Sequence, residues 1–217
     1  MPRRLRADAE RNRIAILAAA QEVFAEQGLE APLEEIAARA GVGIGTLYRR
    51  FPDRQQLVAA ALAGKITQYA EAARRALAVA DPWAGFASFA EQVCEMQADD
   101  RGLSDLLCMT LPAGERVEQL RRQANDQVVE LIDRAKAAGQ LRADFVGEDL
   151  LLLLIASAAI MHVTRHDAPH TWRRFVALML AAFRQRDAPA LPGPPTTAQM
   201  AQAMHRLAWE RGCGNRG

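Results

Sequence analysis

Apolar residues recur along this chain at intervals of three and four, and alternating runs of β-branched residues are absent. That spacing is typical of amphipathic α-helices, whereas half-buried strands alternate with a period of two. We therefore predict an all-α protein, with a unit of three short helices joined to a larger helical bundle. The predicted helices span about 8–27, 33–40, 44–51, 54–79, 82–98, 112–138, 147–164 and 171–186, with a short segment at 103–111.

Polar caps and glycines mark the ends of several predicted helices. Asp53 precedes the fourth helix and Gln56 follows three residues later, a capping-box arrangement that Thr196 and Gln199 repeat before a last short helix. Glycines suited to the position after a helix are Gly28, Gly41 and Gly139. A proline-rich stretch, 187–195, reads as a linker. These signals divide the chain into residues 1–53, 54–187 and 188–217.

The first predicted helix carries apolar residues that can be assigned to one inward face. We expect this face to comprise Ile14, Leu17, Ala18, Gln21 and Phe24. The second helix has Leu33, Ile36 and Ala37 pointing inward. The fourth helix is long enough to be shared between the N-terminal unit and the bundle.

Composition limits what the chain can bind and where it works. The formal net charge is +1, so contact with nucleic acid must come from locally placed charge. Three widely spaced cysteines do not form a disulfide framework, which favours a reducing compartment. The apolar run from Leu150 to Met161 is shorter than the roughly 20 residues that span a bilayer. We therefore expect this run to form a helix buried on two sides. Because the N-terminus has no secretory signal, we expect a cytoplasmic protein without a membrane span.

Residues 33–51 have the pattern of a helix-turn-helix, whose second helix can enter the major groove of DNA. Apolar residues that would hold its two helices together are Ile36, Ala37, Val42, Leu47 and Phe51. The outward residues left over are Gly43, Gly45, Thr46, Tyr48, Arg49 and Arg50. A glycine inside a helix suits a backbone that lies close to a partner, as Gly45 would to a phosphate backbone. Arg54 begins the next helix, where a cation and free amides favour a phosphate.

Five arginines flank the start of the first helix: Arg3, Arg4, Arg6, Arg11 and Arg13. The residues before that helix would form a basic arm that follows the DNA backbone or enters the minor groove.

The segment from Asn12 to Leu57 closely resembles the DNA-binding domain of the TetR family of bacterial regulators. The matching pieces are ILAAAQEVFAEQG, EIAARAGVGIGTLYRRF and PDRQQL. The resemblance implies groove or phosphate contacts for Gly45, Thr46, Tyr48 and Arg54. Positions that contact DNA in some members hold Gly43, Ile44, Arg49 and Arg50. Gly43 and Ile44 have no polar side chain, so base reading would fall to Thr46, Arg49 and Arg50.

For the larger helical part, the resemblance implies a small-molecule site and a dimer interface. The apolar helices 147–164 and 171–186 would pair with their copies in a homodimer. Candidate residues of the ligand pocket are Tyr69, Phe86, Phe89, Met96, Cys108, Met109, Val128, Ile132 and His162. Their chemistry favours an apolar or aromatic effector, and each of them is also a natural core residue.

Enzymatic chemistry has little support in the sequence. His162, His166 and His170 recur every four residues, but Pro169 interrupts the helix that would bring them together. No phosphate loop or dinucleotide motif is present, and we expect no catalytic residues, metal or cofactor. The expected function is a repressor that binds double-stranded operator DNA and is released by a small effector. The alternatives are a family member that activates transcription, and a helical ligand-binding or enzymatic protein without DNA binding.

Overall fold

The structure, a computed structural model, describes residues 2–108, 114–184 and 189–210. Within these ranges the chain forms ten α-helices and no β-strand, which confirms the all-α prediction. The helices are α1 Pro2–Gln27, α2 Leu33–Arg39, α3 Ile44–Arg50, α4 Arg54–Leu77, α5 Pro82–Asp99, α6 Arg101–Cys108, α7 Gly114–Ala137, α8 Gly147–Thr164, α9 Thr171–Phe183 and α10 Thr197–Glu210. Most predicted boundaries agree with these to within three residues.

Helix α1 departs most from the sequence prediction. It begins at Pro2, so the residues expected to form a basic arm are helical. The predicted inward face was only partly right. Phe24 is fully buried and Leu17 packs against the core, but Ile14 is 58% exposed, while Ile16 and Val23, which were not predicted, are fully buried. Alanines fill much of this helix, and the few large apolar residues fit two faces about equally well. The face that packs is the one whose residues recur at Ile16, Ala19, Ala20, Val23 and Phe24.

The predicted helix ends are confirmed by their hydrogen bonds and backbone angles. Asp53 Oδ1 accepts the backbone N–H of Gln56 at 2.8 Å, and Thr196 Oγ1 accepts that of Gln199 at 3.2 Å. Gly28, Gly41 and Gly139 have φ values of 89°, 67° and 61°. Only glycine adopts that region readily, which explains why the helices end there.

Two buried clusters share helix α4. The first, which we call the head cluster, takes residues from α1, α2, α3 and the first half of α4, together with Leu106 of α6. The second, the bundle cluster, begins on α4 at Ala72 and takes residues from α5, α7, α8 and α9. Leu57 and Ile66 of α4 belong to the head cluster, so the packing continues past residue 53. One rigid helix thus enters both cores.

Helix α8 is less buried than its sequence suggests. It has 18 residues with a mean hydropathy of 1.5, long and apolar enough to cross a membrane by length and composition alone. Only 22% of it is buried within the chain, so the expectation of burial on two sides was wrong for a single subunit. Leu150, Leu153, Leu154 and Ser157 form its buried face. The opposite face includes Leu152 and Val163, which are exposed.

The C-terminal segment is attached to the bundle by polar contacts. Arg142 donates from Nη2 to the carbonyl oxygen of Pro189 at 3.1 Å, and Asp144 accepts the N–H of Leu191 at 3.1 Å. Helix α10 follows, and its Leu207 packs against the head cluster.

Candidate DNA-binding surface and helical core

Backbone hydrogen bonds close the turn at the end of α2, and a shared apolar core holds α2 and α3 together. The N–H of Val42 donates to the carbonyl oxygen of Ala37 at 3.0 Å. Ile36 and Leu47 are fully inaccessible to solvent, and Phe51 is nearly so. Because Leu47 and Phe51 anchor one side of α3 in this core, the other side faces away from the protein.

The outward side of α3 carries most of the residues that the sequence selected. Gly43, Ile44, Gly45, Tyr48 and Arg49 are exposed. A Cβ atom added at Gly43 or Gly45 would meet no atom within 4 Å, so packing inside the protein does not require glycine at either position. A close external partner accounts for Gly45 better than the fold does.

Hydroxyl and guanidinium groups lie next to this open backbone. Arg49 donates from Nη2 to Thr46 Oγ1 at 3.2 Å, a contact that orients the guanidinium group on the outer side of α3. Tyr48 is 46% exposed and leaves its phenol available for a hydrogen bond. Together these groups can bond phosphate oxygens and base edges.

Arg50 and Arg54 are less available than the sequence suggested. Arg50 is half-buried, and its Nε atom is buried without a hydrogen-bond partner among the described residues. Arg54 donates from Nη1 to the carbonyl oxygens of Leu29 and Ala31, at 2.7 and 2.8 Å. Arg54 therefore has a structural role in the turn before α2 beyond the phosphate contact that was predicted for it.

Arg39, at the end of α2, is occupied by carboxylates. It donates to Glu26 at 2.8 Å and to Glu35 at 3.3 Å. Its hydrogen bond lowers the pKa of Glu26, and Glu26 in turn raises the pKa of Arg39. This arginine therefore joins α1 to α2 and is less available to an external partner than Arg49 on α3.

Sequence and structure comparisons agree on the protein family in which such a surface is found. Residues 16–61 match the family described as bacterial regulatory proteins of the TetR family, and residues 81–185 match the C-terminal domain of SbtR-like transcriptional regulators. A TetR transcriptional regulator from Streptomyces coelicolor is 32% identical over 81% of this chain and 99% of its own, with a TM-score of 0.52. This chain belongs to the TetR family. It is a transcriptional regulator with a DNA-binding helix-turn-helix, and not an enzyme.

Two further TetR-like structures share the fold at lower identity. The regulator RolR, solved with its ligand resorcinol, is 20% identical over 92% of this chain and 96% of its own, with a TM-score of 0.53. A ketosteroid transcriptional regulator of Mycobacterium tuberculosis is 19% identical over 79% of this chain and 94% of its own, with a TM-score of 0.55. No match was found among curated protein sequences. TetR regulators bind operator DNA and small molecules, form dimers, and are generally cytoplasmic.

The residues predicted to line an effector pocket in this TetR chain lie mostly in its core. Phe86, Phe89, Val128 and Ile132 belong to the buried bundle cluster. Phe86 meets Phe145 edge-on with ring centroids 5.4 Å apart. Burial against such neighbours leaves these side chains little contact with solvent.

Other predicted pocket residues differ in their placement. Tyr69 packs against Phe89 with ring centroids 5.6 Å apart, and burial raises the pKa of Tyr69 to about 12. Met96 is half-buried and Cys108 is buried. His162 is exposed on α8, so its assignment to an internal pocket was wrong for the single chain. Met109 lies outside the described residues.

An open cavity of about 250 Å³ lies between α5 and α9, and none of the predicted pocket residues is among those that line it. Its lining comprises Glu91, Glu95, Trp172, Arg173 and Val176. Arg173 donates to Glu95 at 2.8 Å and covers the Trp172 ring, so two of the three charged side chains that line this cavity pair with each other.

The histidine series does not form a metal site in the described part of the chain. Helix α8 ends at Thr164, so His162 and His166 do not share a helical face. No group of three or more His, Cys, Asp or Glu residues there is arranged to hold a metal ion. Cys94 and Cys108 are buried and form no disulfide, as expected of core residues, and burial raises the pKa of Cys94 to about 11.

Gln97 is one of the buried polar residues that the sequence analysis did not identify. Gln97 is 2% exposed and follows Val93 by four residues and Cys94 by three on α5. That spacing places it on the inward face of the helix, where an apolar residue is expected. The interruption of the apolar pattern was the signal that could have identified it.

Proposed function

We propose that this chain is a homodimeric repressor that reads operator DNA through α3 and leaves it when a small apolar or aromatic effector binds in the bundle. The observation that carries the proposal is the outward face of α3, where open backbone at Gly45 lies beside exposed Tyr48 and Arg49. The DNA contacts proposed for it are those of Gly43, Ile44, Gly45, Thr46, Tyr48, Arg49, Arg50 and Arg54.

A dimer through α8 and α9 is supported by apolar side chains that the single chain leaves exposed. On α8 these are Leu152, Ala159 and Val163, and on α9 they are Leu178 and Ala182. Their separations of four and seven residues place each set along one helical face. Helices α8 and α9 contact each other, so two copies can form a four-helix interface. Such an interface also explains why an apolar α8 is mostly unburied in one subunit.

The dimer sets the geometry of the proposed operator. Two copies of α3 related by a twofold axis would enter successive major grooves, whose centres are about 34 Å apart along the DNA. The site is therefore pseudo-palindromic, with half-sites about 10 base pairs apart.

Effector control requires that the ligand bind more tightly to a dimer with one separation of its two helix-turn-helix units than to a dimer with another separation. Helix α4 is suited to link the events, because its first half packs in the head cluster and its second half in the bundle cluster. The apolar bundle core favours an apolar or aromatic molecule. RolR, which has the same fold, was solved with resorcinol, a small aromatic ligand.

The direct test is binding of the full-length chain to DNA selected from a random pool, followed by Y48A and R49A variants. The proposal expects salt-sensitive, sequence-selective binding that either substitution weakens by about tenfold or more, with unchanged thermal stability. Selection that enriches no sequence would reject it. A reporter gene under the selected operator separates repression from activation, since a repressor lowers its output and an activator raises it. Such a regulator acts where DNA is, in the cytoplasm.

A further inference from the structure

Gln97 introduces an amide into an otherwise apolar stripe on α5. The preceding residues of this buried face are Phe86, Phe89, Ala90, Val93 and Cys94. An amide in such surroundings loses its hydration and must recover hydrogen bonds from neighbouring groups. Gln97 replaces few of the hydrogen bonds to water that its amide loses on burial.

The two ends of the Gln97 amide have different surroundings. Its Nε2 atom lies 3.7 Å from Cys108 Sγ, which is a weak acceptor. Its Oε1 atom has essentially no solvent contact and no hydrogen-bond partner among the described residues. Native proteins pair nearly all buried polar atoms, and each exception needs an explanation. A donor brought by a bound molecule supplies one here.

A second buried amide oxygen, on a neighbouring helix, also lacks a hydrogen-bond donor. Gln127 Oε1, on α7, is also buried without a partner in the part of the chain that the structure describes. Helix α7 contacts both α5 and α4. Two contacting helices of the effector part therefore each present an acceptor with no donor.

The chemistry of these two atoms restricts the ligand. Amide oxygens accept hydrogen bonds and repel other acceptors, so an anionic carboxylate is disfavoured beside them. Cys108, the last residue of α6 and the neighbour of Gln97 Nε2, is buried and uncharged, and so is Val128, which follows Gln127 on α7. A neutral molecule with an apolar body and a hydroxyl donor meets both conditions.

We propose that Gln97 is the polar anchor of the effector site and that the effector is a neutral apolar molecule donating a hydrogen bond from a hydroxyl group. Gln127 supplies a second acceptor. The inference rests on the proposed function, because it names the chemical class of the effector.

The test uses paired probes that differ only in the donor: resorcinol with 1,3-dimethoxybenzene, and 2-naphthol with 2-methoxynaphthalene. Binding to the full-length protein is measured by calorimetry for the wild type, for Q97M, and for Q92M as a control. Gln92 lies on the same helix but is exposed. We expect the hydroxyl member of at least one pair to bind the wild type and Q92M about tenfold more tightly than its ether, and Q97M to lose that preference.

Stability without ligand gives a second measurement. Methionine has a similar volume and needs no hydrogen bond, so Q97M should raise the thermal midpoint above that of the wild type. A lower midpoint would mean that a donor within the protein already serves the amide, and would overturn the proposal. Ethers that bind as well as hydroxyl compounds, a preference that persists in Q97M, or no binding by any hydroxyl probe would overturn it too.

Release of selected operator DNA separates this inference from the function on which it rests. A hydroxyl probe that binds through Gln97 but leaves the DNA complex intact supports the anchor and contradicts the effector mechanism. A probe that releases DNA equally from wild type and Q97M supports the effector mechanism and contradicts the anchor.

Discussion

The guanidinium group of Arg54 donates from Nη1 to the carbonyl oxygen of Leu29 at 2.7 Å, and to that of Ala31 at 2.8 Å. The N–H of Leu29 donates in turn to Asp105 Oδ2 at 2.9 Å. The first residue of α4 and a residue of α6 therefore hold the same turn before α2. The orientation of the helix-turn-helix therefore depends on α4, which follows it directly, and on α6, which lies further along the chain.

Replacing Arg54 by methionine should destabilise the protein, because it leaves two part-buried carbonyl oxygens without their donor. We expect the free energy of unfolding, measured with urea, to fall by about 1–3 kcal/mol. Arg74→Met is the matched control, since Arg74 is exposed on the same helix. That change should stay within about 0.5 kcal/mol of the wild type. Equal effects of the two substitutions would contradict the role assigned to Arg54.

Gly45→Ala should weaken DNA binding without harming the fold. The added methyl group meets no protein atom within 4 Å, and alanine favours helix over glycine by about 1 kcal/mol. Stability should therefore hold or rise, while affinity for selected DNA falls by about tenfold or more as the methyl group contacts the DNA backbone. Gly64→Ala, at an equally open site on α4, should keep full affinity. If G45A binds DNA like G64A, α3 does not approach DNA at this glycine.

A charge on α9 should separate the proposed dimer. Leu178 is 58% exposed in the single chain, and Leu178→Glu would bury an unpaired carboxylate in the interface. Light scattering after size exclusion should give the dimer mass for the wild type and the monomer mass for L178E. Leu191, 50% exposed in the C-terminal segment, provides the control, and L191E should remain a dimer. A monomeric wild type, or a dimeric L178E, would contradict the interface.

Acid should weaken the attachment of the C-terminal segment. The hydrogen bond from Arg142, and then that from the backbone of Leu191, lower the pKa of Asp144 from 3.8 to about 2. Because the folded-state pKa is depressed, this stabilisation is complete above the unfolded pKa and is lost as the pH falls through the folded one. The wild type should be more stable than D144N at pH 7, and the difference should shrink between about pH 4 and pH 2. Urea unfolding of both proteins at several pH values measures this difference in the free energy of unfolding. A difference that stays constant down to pH 2 would disprove the stabilising role assigned to the Asp144 carboxylate.

Much of the fold followed from local signals in the sequence. The caps at Asp53 and Thr196 and the glycines after α1, α2 and α7 act within a few residues, so the chain itself specifies them. The face of α1 could not be predicted in the same way. Its alanines are compatible with several packings, and the choice of Ile16 over Ile14 depends on what α2 and α4 bring against it.

The candidate sites were predictable to different degrees. The outward face of α3 followed from the helix-turn-helix pattern, because apolar anchors fix which side is free. The bond from Arg54 to the turn before α2 joins residues more than twenty positions apart, and no sequence pattern indicates it. The apolar residues of the bundle gave no means of separating pocket from core, and Gln97 was missed although its polar side chain interrupts the apolar pattern of α5.

The central claim is that two copies of α3 read a pseudo-palindromic operator. Selection of the full-length wild-type chain against a random DNA pool, followed by sequencing, tests it most directly. We predict enrichment of an inverted repeat with half-site centres about 10 base pairs apart, and binding to it that weakens steeply as salt rises. Enrichment of no sequence, or of a single unrepeated site bound by one subunit, would contradict the account.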